Sequence, residues 1–357
     1  MKTTAPALLL ATSMVLTACT AAPSAAGAPS GTATHDQAQS TLPSIPPSAD
    51  PTPAATPVDA SVAAGLAFIR PADGRDQVFV IDADGSTRQV SGLSGDADPG
   101  AARPLWSPDR TKIAFGPPTI GSGLDPQLWV VNADGSGQRP LADLGESTDW
   151  SPDSSRLVFC DSVFTTDNTG QPARIWISDV ATGETAEVGQ GTVTQWRPDG
   201  EAISFHPVDP PDPEGVRSRI VVMPLDGGEA FELGEGSGGW WAPDGSGVLL
   251  VDDGQLVLRE PDGANPRPLV EGDSAVWSPD STRIAYGTVD AVGTFQVNVI
   301  TADGDPVWSE VPGTNGVWSP DGTKLAVEVG FPDIRIQILD AATGEAIWDL
   351  DGRYPDW

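Results

Sequence analysis

The residues of this chain that could do chemistry are mostly carboxylates set beside turn formers. In Trp318-Ser-Pro-Asp-Gly an aspartate sits next to a hydroxyl and a glycine, a grouping that could serve acid–base or nucleophilic chemistry if it stood alone. It does not stand alone. The same unit occurs as Trp106-Ser-Pro-Asp, Trp150-Ser-Pro-Asp, Trp196-Arg-Pro-Asp, Trp241-Ala-Pro-Asp and Trp277-Ser-Pro-Asp. Proline pre-sets φ, aspartate accepts backbone N–H groups and glycine takes positive φ, so the repeated carboxylate reads as turn chemistry. A Ser-His-Asp hydrolase needs an imidazole base and a nucleophile elbow. No G-x-S-x-G occurs, and the two histidines are His35, in a proline-rich stretch, and His206, expected in a loop. No catalytic residue is assigned.

Metal and cofactor readings are equally thin. The scarcity of histidine argues against zinc. Asp82-Ala-Asp-Gly85 opens like a calcium loop but lacks the alternating ligands and the distal glutamate. Leu339-Asp-Ala-Ala-Thr-Gly-Glu-Ala-Ile-Trp348 resembles the tryptophan-docking repeat of pyrroloquinoline-quinone propellers. That resemblance implies a copy in most repeats, whereas the nearest second case, Ser178-Asp-Val-Ala-Thr-Gly-Glu, lacks the tryptophan. The expectation is therefore no cofactor and no metal site, with a quinone- or ion-dependent enzyme or sensor as the alternative.

What must position these residues is a repeat. Successive motif tryptophans lie 36 to 46 residues apart, the period of a four-stranded propeller blade. Each motif runs into a short apolar segment (Ile113-Ala-Phe, Leu157-Val-Phe, Ile203-Ser-Phe) and then a second β-type run such as Leu128-Trp-Val-Val or Arg174-Ile-Trp-Ile. Helical periodicity is absent. Units of this kind start near Ala67, Ile113, Leu157, Ile203, Val248, Ile284 and Leu325. The first has no tryptophan strand ahead of it, while the chain ends in Gly-Arg-Tyr-Pro-Asp-Trp357. The C-terminal strand is thus expected to be the innermost strand of the first blade, giving an all-β, seven-bladed propeller closed by that strand. The W-S-P-D-G-x-x-I-A-F signature followed by A-D-G-S resembles the WD-like propeller repeat of the TolB type, across essentially all of residues 66–357. The resemblance implies the fold and leaves the function open.

The termini carry separate signals. Lys2, the apolar stretch Ala5 to Leu16, and Leu16-Thr-Ala-Cys19 resemble the signal peptide and lipobox of bacterial lipoproteins. The apolar run is too short to span a bilayer. The resemblance implies cleavage after residue 18, fatty acylation at Cys19 and a protein lipid-anchored to the cell membrane on its extracytoplasmic side. Residues 19–65, rich in Pro, Ala, Ser and Thr, read as a disordered tether reaching about 40 Å. With Cys19 acylated, Cys160 is alone and no disulfide framework is expected.

The net charge is −31, from 50 acidic and 19 basic residues. Much of it sits in the turns. Nucleic acid and anionic lipid are poor partners for such a surface. A monomer with an envelope or secreted protein or peptide partner, basic in character, fits it better. Topology puts the short Pro-Asp and Ala-Asp-Gly turns at one end of the strands and the long, varied segments at the other. Function favours loops carried by a rigid scaffold. The candidate binding residues are accordingly Asp161, Asp167, His206, Asp209, Asp212 and Glu214.

Overall fold

The computed structural model describes residues 60–93, 102–116, 127–143, 145–162, 172–208, 219–330 and 332–357, all within one compact unit. Apart from a 3-10 turn at Ala60–Ala63, the regular elements are strands. Segments such as Lys112–Gly116 and Val248–Asp252 are buried through three consecutive residues. That explains their unbroken apolar runs: these strands are covered on both faces, so alternation is lost. Later strands such as Arg267–Glu271 and Pro306–Pro312 are largely exposed and carry proline, the composition of a sheet edge.

The strands pair antiparallel in chain order. Ala102–Trp106, Lys112–Gly116, Leu128–Asn132 and Arg139–Ala142 make one four-stranded sheet; Ser237–Trp241 to Arg267–Glu271, Ser274–Trp277 to Pro306–Pro312, and Thr314–Trp318 to Ala346–Asp351 make three more. A seven-stranded sheet runs from Glu146–Trp150 to Phe231–Glu235. Its long strand Thr185–Trp196 pairs with Arg174–Asp179 up to Gln190, then with Ala202–Pro207 from Gly191 onward. In the remaining sheet the C-terminal strand Arg353–Asp356 lies beside Ala67–Ala72, followed by Arg75–Ile81 and Thr87–Gln89.

The core lies between sheets. Ile69, Val78 and Val80 pack on Ile113 and Phe115; Leu128 and Val130 on Leu157 and Phe159; Val299 on Leu325 and Val327. One further cluster joins the ends of the chain, with Phe68, Phe79 and Trp357 against Ala326, Ile336 and Ile338. The motif tryptophans are all buried. Several indoles donate to the sheet before their own: Trp150 Nε1 to Leu105 O at 3.0 Å, Trp277 to Trp240 O at 3.1 Å and Trp318 to Val276 O at 3.2 Å. In each case the acceptor is the residue preceding the previous motif tryptophan. The tryptophan spacing is therefore the spacing of a sheet-to-sheet staple. Residues 60–65 belong to this body: Ala63 is buried, and the Gly65 carbonyl accepts both Trp106 Nε1 and Arg110 Nη2.

Candidate binding face

The two ends of the strands differ chemically. At the motif end the carboxylates are consumed by their own turns. In Trp318-Ser-Pro-Asp the Ser319 hydroxyl donates to Asp321 Oδ1 at 2.6 Å and accepts Lys324 N–H at 3.0 Å, while Asp321 takes the Thr323 N–H at 3.0 Å. Ser107–Asp109, Ser151–Asp153 and Ser278–Asp280 repeat the arrangement, each at 2.6 Å. Hydroxyl and N–H donation holds Asp153 down at about 2, and Asp321 at about 2 against the upward push of burial. Asp84 and Asp134, in the Ala-Asp-Gly-Ser turns, accept the Ser86 and Ser136 N–H groups. Asp340 of the quinoprotein-like stretch accepts the Ala342 and Thr343 N–H groups.

Arginines lock the same end from sheet to sheet. Arg283 lies 4.7 Å over the Trp318 ring and donates to the Gly322 and Ala341 carbonyls. Arg156 lies 4.6 Å over Trp196, and Arg139 donates to the Val180 carbonyl. These contacts engage the arginines and most motif carboxylates at this end, while Glu201 and Asp303 there keep side chains 79% and 89% exposed.

At the opposite end lie Asp161 and His206, two of the residues singled out from sequence. Asp161 is at the end of a strand with its side chain fully buried, accepting Arg174 N at 2.8 Å and Arg174 Nε at 2.7 Å. His206 is not in a loop: it belongs to the strand Ala202–Pro207, paired with Thr192, because the ladder runs on past Phe205. Burial lowers its pKa, a hydrogen bond with the Gly238 backbone opposes this, and Nε2 has no partner among the described residues. Asp167, Asp209, Asp212 and Glu214 lie outside the described residues, as does Cys19. Asp161 and His206 therefore occupy ends of separate strands, with no shared hydrogen bond.

Two features at this end had not been expected. First, the strand leading to the tryptophan kinks three residues before it. Arg103, Ser147, Val193 and Tyr354 have φ of 45°, 47°, 52° and 51°, and Gly238 has φ 95°. Pairing slips across the same positions. No residue-type signal marks them, since only one is glycine. Arg103 and Arg353 lie 5.6 and 5.8 Å from the Tyr354 ring, and Arg353 is paired with Asp76. Second, the hairpin joining Arg283–Val289 to Phe295–Thr301 leaves Val289, Val292 and Phe295 exposed. An open groove of ≈ 670 Å³ lies nearby in sequence, lined by Asp252, Asp253, Gln255, Arg259, Pro268 and Glu271.

No family model matches the chain, and no curated protein matches it. Among solved structures, an oligogalacturonate lyase from Vibrio parahaemolyticus is similar at 15% identity and a TM-score of 0.58, over 76% of this chain and 84% of the lyase. An oligogalacturonate lyase in complex with manganese is similar at 17% identity and a TM-score of 0.56, over 74% and 82%. TolB from Acinetobacter baumannii is similar at 17% identity and a TM-score of 0.49, over 82% of this chain and 66% of TolB, just under two thirds of its length. The likeness to the lyases is one of fold: the chain is an all-β propeller. Among the described residues no three of His, Cys, Asp or Glu converge to hold a metal ion.

Proposed function

We propose that the chain is a seven-bladed propeller closed by its C-terminal strand, held to the extracytoplasmic side of the cell membrane by lipid on Cys19, and that its long-loop face binds a protein or peptide without catalysis. The blade count is supported by the double use of Thr185–Trp196, which divides the seven-stranded sheet into two units of strands. Closure is supported by Arg353–Asp356 beside Ala67–Ala72 and by the cluster uniting Phe68 with Ile336. Among the described residues no helix is long and apolar enough to cross a membrane. The anchor rests on the lipobox-like residues alone.

The observation that carries the binding reading is the contrast between the ends. One is tied from sheet to sheet by Ser-Asp turns and arginines; the other carries an exposed apolar tip and the strand ends that flank the varied stretches of sequence. A photo-crosslinking amino acid placed at Arg103 or Val208, in the full-length chain in the cells that make it, should capture a polypeptide, and at Gly245 or Thr323 should not. Equal capture from both ends, or none from the first, removes the reading. Cys19→Ser should move the protein from the membrane to the soluble fraction; continued sedimentation with membranes removes the anchor.

A further inference from the structure

The geometry points to the hairpin tip Val289–Phe295 as an anchor for a protein partner, one whose apolar pocket, edged with lysine and arginine, closes over Val292. This rests on the reading of the long-loop face as the binding face, and names the place on it and the chemistry opposite.

Among the described residues the exposed large apolar side chains are Val289 at 49%, Val292 at 87% and Phe295 at 48%, and all three fall on this one tip. A single exposed valine means nothing, but a cluster confined to one projecting turn marks a contact site. Val289 and Phe295 are directly paired, so they flank Val292 as a base flanks a point.

The tip is also built in advance. Asp290 Oδ1 accepts the Val292 and Thr294 N–H groups, each at 2.9 Å. The Asp290 N–H donates to Thr294 O and the Gly293 N–H to Asp290 O, each at 3.0 Å. Gly293, at φ 89°, permits the reversal. A turn so tied loses little conformational freedom when it docks.

Charge selects the occupant. The carboxylate on the tip is Asp290; further back along the same sheet lie Asp273, beside Gly287, Glu310, beside Asn298, and the phenol of Tyr286. The sheet's arginine, Arg283, is committed at the other end to Gly322 and Ala341. An apolar point with a carboxylate at its base and further acids behind it on the same sheet, on a chain of net charge −31, complements a basic-rimmed pocket and is mismatched to an anionic bilayer or to a second copy of itself.

The test places a photo-crosslinker at Ala291 of the full-length chain in the cells that make it, combined with Val292→Asp, Val292→Ser or Val292→Leu. A polypeptide adduct is expected, weaker at high salt, retained by Val292→Leu and reduced about tenfold by Val292→Asp and Val292→Ser, the scale of one interface anchor. Unchanged melting temperatures keep the comparison clean, since Val292 supports nothing in the fold. Adducts indifferent to Val292, adducts only with lipid, or adducts only with another copy of this chain overturn the proposal. So does the absence of an adduct at Ala291 while Arg103 or Val208 still captures a polypeptide, a result that spares the loop-face reading. No adduct from any of the three positions ends both.

Discussion

The carboxylate of Asp356 accepts the backbone N–H of Trp106 at 2.6 Å, joining residues 250 apart in sequence. The same device recurs where Asp149 accepts the N–H of Trp196 at 2.7 Å. In both, the aspartate directly precedes a motif tryptophan and reaches the tryptophan of the following unit. Neighbouring first strands are not hydrogen-bonded to one another as a sheet, so a buried carboxylate supplies the missing acceptor. Burial is the dominant influence on both. It lifts Asp356 to about 7 despite the Trp106 N–H and the Arg110 charge, and Asp149 to about 6 despite the Trp196 N–H.

A raised carboxylate stabilises the fold at low pH and loses that contribution as pH climbs. Below the unfolded value of 3.8 both states hold the proton; between 3.8 and about 6 the unfolded chain releases it first. Asp149→Asn keeps an acceptor for Trp196 and needs no proton. It should therefore be more stable than the parent by about 1–3 kcal/mol at pH 8, with the advantage gone below pH ~4. Asp356→Asn should gain less, because Arg110 would lose its counter-charge. Urea unfolding at both pH values decides this; an advantage independent of pH would show that Asp149 is not the titrating group.

The Ser-Pro-Asp turns carry the opposite sign. Asp153, held at about 2 chiefly by the Ser151 hydroxyl, contributes stability above 3.8 that is lost as pH falls towards 2. Ser151→Ala removes the donor to Asp153 and the acceptor of the Arg156 N–H in a fully buried site. The expected cost is about 1–3 kcal/mol, with an upward shift of the Asp153 carboxyl in an NMR titration. An unmoved carboxyl resonance would mean that the hydroxyl does not hold it.

How far the sequence speaks follows from the range of the interactions involved. The tryptophan repeat and the Ser-Pro-Asp turns were legible because each motif occupies a few adjacent residues and recurs; the indole bonds to the preceding sheet were not, since they join residues 37 to 45 apart. The kinks at Arg103, Ser147, Val193 and Tyr354 were not, since four different residue types adopt one backbone shape imposed by strand pairing. Asp161 looked available beside a varied loop; only the fold brings Arg174 onto it. The apolar tip was hidden in a stretch, Val289-Asp-Ala-Val-Gly-Thr-Phe, whose valines read equally well as strand core.

His206 offers a separate titration. Burial holds its pKa below the ordinary 6.5, so the folded chain resists the proton that the unfolded chain accepts. Stability is unaffected above that value and falls as pH drops below it. His206→Asn, compared with the parent in an Asp149→Asn background, should flatten the loss of stability between pH 7 and 5. Equal slopes for the two proteins would place His206 in water rather than between strands.

The kinks predict opposite outcomes at equivalent positions, three residues before successive tryptophans. Val193 holds φ 52°, a left-handed conformation that costs an L-residue about 1–2 kcal/mol and a β-branched one most of all. Asparagine tolerates that region, so Val193→Asn should stabilise by up to about 1 kcal/mol, the loss of half-buried apolar surface taking back the rest. Gly238 is the counterpart in the next sheet, at φ 95°, and a Cβ there would run into the Trp240 ring. Gly238→Ala should therefore cost about 2 kcal/mol or more, from backbone strain and the displaced indole together. Denaturant midpoints for the two variants settle it: a destabilised Val193→Asn, or a Gly238→Ala that melts with the parent, would mean the first strands can straighten without penalty.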